Sequence, residues 1–97
     1  MAQISVKFDT DKEEINKQLF LFSPSMTIKE MLEQFLKQTN SFAQINSNDI
    51  QFIYKGKILN TDSYLDKYVR DIFKLSNHKV KVWDSKNIIG GKKIYKN

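Results

Sequence analysis

Cysteine is absent from this chain of 97 residues, which removes disulfides, thiol chemistry and cysteine-based metal sites together. A domain of this size without covalent staples is held by packing alone, as is usual inside cells. Histidine occurs once, as His78 in a polar Ser76-Asn77-His78-Lys79 stretch, and reads as plain surface rather than catalyst or ligand. Proline occurs once, at Pro24, and glycine three times, so no glycine-rich phosphate loop is present. Asp9, Asp11, Glu13 and Glu14 lie close together but lack the spacing and the glycine of a calcium loop, and they read as a solvated turn. No catalytic residue, metal or cofactor is expected, and the chain does not read as an enzyme. Met1 to Ser5 is too short and polar to begin a secretory signal. No run of about 18 apolar residues exists, so no membrane partner is expected.

Charge is present but scattered. Sixteen basic residues against eleven acidic ones give a net charge of +5. Only Lys92, Lys93 and Lys96 approach a basic cluster, at the very end. Arg70 is the one arginine, and base readout leans on arginine forks. The basic residues therefore read as solvated surface, with no nucleic-acid partner expected. Hydrophobic residues at 40% and charged residues at 28% fit one globular domain rather than a disordered chain.

The pattern of apolar residues yields an order of elements. Ile4, Val6 and Phe8 alternate with polar residues as in a half-buried strand. Asp9 to Asn16 reads as a hairpin loop. Leu19 to Phe22 is a second strand, with Phe20 and Phe22 turned to the core because two rings gain more from burial than two leucines. Pro24 stops that strand. Thr27-Ile28-Lys29-Glu30 has the form of a capping box. Behind it, Ile28, Met31, Leu32, Phe35 and Leu36 form one helical stripe. Residues 41 to 49 are a polar connection anchored by Phe42 and Ile45. Ile50, Phe52 and Tyr54 alternate with Gln51 and Ile53, and Gly56 supplies a turn into Ile58 and Leu59. Tyr64 to Phe73 reads as a loop with a short helical turn that plugs the sheet. Val80 and Val82 alternate with Lys81 and Trp83 in a last strand. The expected architecture is α+β in two layers, a sheet of four to five strands packed on one helix. The domain is expected over residues 1–85, and residues 86–97 read as a flexible tail containing Gly90-Gly91.

Several of these stretches resemble ubiquitin. Gln3-Ile4-Ser5-Val6-Lys7 is similar to the family's opening, and Pro24-Ser25-Met26-Thr27-Ile28 to its approach to the helix. Asn48 to Leu59 resembles its third strand and glycine turn, Leu65 and Tyr68 keep its Leu-x-x-Tyr spacing, and Gly90-Gly91 sits where its di-glycine does. The resemblance runs over residues 3–91 and implies a divergent ubiquitin-like protein of β-grasp fold, with a mixed sheet of four to five strands packed on one helix.

It also implies two sites. In a β-grasp sheet the last strand lies beside the strand carrying Ile53, so Ile53 and Trp83 are expected to form an exposed apolar patch ringed by Lys55, Lys57 and Lys81. Ile53 matches the isoleucine that ubiquitin offers to receptor proteins, although no leucine in the first hairpin loop accompanies it. The second site is Gly90-Gly91, with Gly91 joined to target lysines by activating and conjugating enzymes after a peptidase removes residues 92–97. Asn87-Ile88-Ile89 stands where the family has Arg-Leu-Arg. The alternative is a non-cleaved ubiquitin-like interaction domain of a larger protein. By the same resemblance the protein is expected to be eukaryotic, cytoplasmic or nuclear, and monomeric.

Overall fold

The computed structural model describes residues 3–41, 43–74 and 78–84. Gly90, Gly91, the tail from residue 86 and the anchor Phe42 lie outside the described residues.

Strand β1 (Ile4–Asp9) and strand β2 (Phe20–Phe22) pair antiparallel, with Val6 opposite Phe20 and Ile4 opposite Phe22. This register buries both phenylalanines and leaves Leu19 57% and Leu21 50% exposed. The rings make the difference. Phe8 stacks on Phe35 with centroids 3.9 Å apart, and Phe20 meets both edge-on at 5.3 Å. Such pairs add to the area they bury. The stretch between these strands is not the open loop expected. It holds one helical turn, α1 (Glu13–Asn16), that buries Ile15. Thr10 and Asn16 close its base, the Thr10 backbone N–H and hydroxyl donating to Asn16 Oδ1 while Asn16 Nδ2 donates to the Thr10 carbonyl.

Helix α2 (Ile28–Gln38) starts at the capping box read from the sequence. The Glu30 N–H donates to Thr27 Oγ1 at 3.2 Å, and the Thr27 N–H donates to Glu30 Oε1 at 2.9 Å. All five stripe residues are buried. The helix stops where Asn40 takes φ 56°, a left-handed geometry that asparagine tolerates better than most residues.

Strand β3 (Ile50–Tyr54) turns through Lys55 and Gly56, at φ 50° and 81°, into β4 (Lys57–Ile58). Two successive positive φ values match the right-handed twist of a tight hairpin, and Gly56 meets them without a Cβ. The plug contains two helical turns rather than one, α3 (Asp62–Leu65) and α4 (Val69–Ile72). It is sewn to the start of α2 through the backbone: Ile28 N–H donates to the Lys67 carbonyl and Val69 N–H to that of Met26, both at 2.8 Å. Strand β5 (Lys79–Asp84) runs parallel to β1 and antiparallel to β3. The sheet order is β2-β1-β5-β3-β4. The molecule is thus a small α+β domain whose mixed five-stranded sheet has its core on one face, where Val6, Phe8, Phe52 and Val80 meet the stripe of α2.

Candidate functional site on the outer sheet face

Alternation that turns one set of side chains into the core turns the other outward, and the register places them in rows. Gln51 lies opposite Trp83, Ile53 opposite Lys81, Ile53 also opposite Ile58, and Asp9 opposite Lys81. One row across the sheet is therefore Asp9, Lys81, Ile53, Ile58. Trp83 begins the next row with Gln51, one step along the strand.

Trp83 is 41% exposed, whereas Ile53 is only half-buried between its neighbours. The two are diagonal rather than opposite, at a spacing that a large side chain still spans. The direct apolar partner of Ile53 is Ile58, which in the sequence is marked only as lying beyond the glycine turn. The lysines divide. Lys81 stands beside Ile53 on the outer face. Lys57 pairs with Tyr54, so alternation sends it to the helix side of the sheet. Lys55 sits in the turn with its Nζ 5.5 Å from the centre of the Tyr54 ring. A ring of lysines around the patch is thus not what forms. Lys81 joins it, while Lys55 and Lys57 lie at the Tyr54 edge. The division has a simple cause, since the chain reverses at Lys55 and Gly56 and the register then pairs Lys57 with the inward-facing Tyr54.

His78 is also not plain surface. Its Nδ1 lies 3.0 Å from the Ser5 carbonyl and its ring meets Phe73 edge-on at 5.3 Å. The His78 carbonyl accepts from Lys7 N–H at 2.9 Å, which fixes the start of the β1–β5 pairing. A polar neighbourhood in sequence hid this, because Ser5 and Phe73 approach only through the fold. At the far end of β5, Trp83 walls an open hollow of about 1080 Å³ that Asp11, Glu14 and Asn48 also line.

No protein-family model matches the chain, and no curated protein matches it. The site therefore rests on its own geometry. Among the described residues, no group of three or more histidines and carboxylates is placed to hold a metal ion, and no helix is long and apolar enough to cross a membrane. The outer face carries a tryptophan, an isoleucine pair and lysine charge side by side on the sheet.

Proposed function

We propose that the chain is a ubiquitin-like protein of β-grasp type that acts through contacts with other proteins, and that it is a modifier conjugated to target lysines through Gly91 after removal of residues 92–97. The observation that carries the reading is the place of the last strand. β5 lies beside β3, which sets the exposed Trp83 on the same face as Ile53. Exposed tryptophan is a frequent anchor at protein interfaces, and a receptor covering this face would bury it with Ile53 and Ile58. On this reading the chain is a substrate of activating and conjugating enzymes and carries no catalysis of its own. Glycines suit such a tail because they thread narrow channels where a Cβ would clash.

The test is incubation with a eukaryotic lysate and ATP, repeated with Gly90 and Gly91 both changed to Ala. A ladder of high-mass products that the double variant abolishes is expected. Identical ladders from both proteins would sink conjugation. The second reading, a non-cleaved interaction domain, is favoured by the replacement of the family's arginines with Asn87-Ile88-Ile89. It predicts that partners captured by the protein are lost on Ile53→Ala or Trp83→Ala, while deletion of residues 86–97 changes nothing.

A further inference from the structure

Lysines that are far apart in the sequence come together on the outer face. Lys7 on β1 lies directly opposite Lys79 on β5, and Lys81 follows two residues on. All three are exposed, and Trp83 continues the same line along β5. Neighbouring strands are about 4.8 Å apart, and successive outward positions along a strand about 6.6 Å apart. Like charges facing each other across neighbouring strands are unfavourable. The single acidic side chain among the outward positions of the five strands is Asp9, opposite Lys81, so the Lys7–Lys79 pair faces no carboxylate in its own row. A ligand bearing regularly spaced negative charge would relieve that pair. A ligand that also carries flat rings would use Trp83.

We propose that the β1–β5 half of the outer face binds single-stranded nucleic acid, with Lys7, Lys79 and Lys81 contacting phosphates and Trp83 stacking on a base. Stacking on an aromatic side chain at the end of a basic track holds single strands without sequence preference, because every base has a π-face, and Trp83 ends the track of Lys79 and Lys81. Lysine serves as a point charge for phosphate, so the scarcity of arginine limits base readout rather than binding. This site shares Trp83 with the proposed protein-contact patch and adjoins it at Lys81, but it does not use the isoleucine pair on β3 and β4.

Trp83 is the one tryptophan of the chain, so its fluorescence reports the site alone. The full chain is titrated with oligo(dT) and, in a parallel arm, oligo(U), each of about 12 nucleotides, within the span one small domain covers. Quenching at low salt is expected. Three phosphate contacts predict that log affinity falls with log salt at a slope of about −2. Changing Lys7 and Lys79 together to Gln is expected to flatten the slope to about −0.7. Ile53→Ala is expected to leave quenching unchanged, so failure of the protein-contact reading and failure of this one are distinguishable. Quenching by only one of the two oligomers assigns the site to DNA or to RNA. No quenching by either, equal quenching by polyglutamate, or a slope indifferent to Lys7 and Lys79 overturns the proposal.

Discussion

Asn60, just past β4, closes three backbone groups with one side-chain amide. Its Nδ2 donates to the carbonyls of Ile45 and Ile50, and its Oδ1 accepts from Phe52 N–H at 3.1 Å. The connection before β3 is thereby pinned to the strand. Asn60→Ala strands all three groups and is expected to cost about 2 kcal/mol, read as a lower midpoint in urea unfolding. Gly56 is a different case. A Cβ there would meet nothing within 4 Å, yet φ is 81°. Gly56→Ala is therefore expected to cost about 1 kcal/mol through backbone strain alone. The glycine was legible in the sequence, because its conformational freedom is a property of the residue itself. The roles of Asn60 and His78 were not, because their partners lie 8 to 15 residues away in one case and 73 in the other.

At the scale of the element, β2 shows how burial chooses a face where alternation is silent. Leu19 to Phe22 is apolar throughout, and ring packing against Phe8 and Phe35 decides which residues point inward. Phe22→Ala is expected to cost about 3–5 kcal/mol by opening a cavity, whereas Leu21→Ala on the outer face should stay within about 0.5 kcal/mol. Thermal unfolding of the two variants checks the contrast. The cap of α2 makes a smaller prediction: Thr27→Ala removes half of the reciprocal bond and should cost about 1 kcal/mol. Helix α2 was readable because an 11-residue amphipathic stripe repeats its signal. The four-residue turns α1, α3 and α4 carry no such repetition; the Thr10–Asn16 bonds brace α1, and the Val69–Met26 bond ties α4 to the start of α2.

Over the whole molecule, sheet order decides what the outer face contains. Placing β5 between β1 and β3 brings Trp83 toward Ile53 and gathers Lys7, Lys79 and Lys81, which looked scattered along the chain. The facing of single residues could be read from period two, but the rows across the sheet depend on register, and the pairing of Ile53 with Ile58 emerged only there. Trp83 is 41% exposed on the outer face, so Trp83→Ala should leave stability within about 1 kcal/mol while removing captured partners. The reading as a conjugated modifier turns on Gly91. Its most direct test is the mass of the mature protein isolated from its own cells. A polypeptide whose last residue is Gly91 is the predicted result, and one that still continues through Lys92 to Asn97 would contradict it.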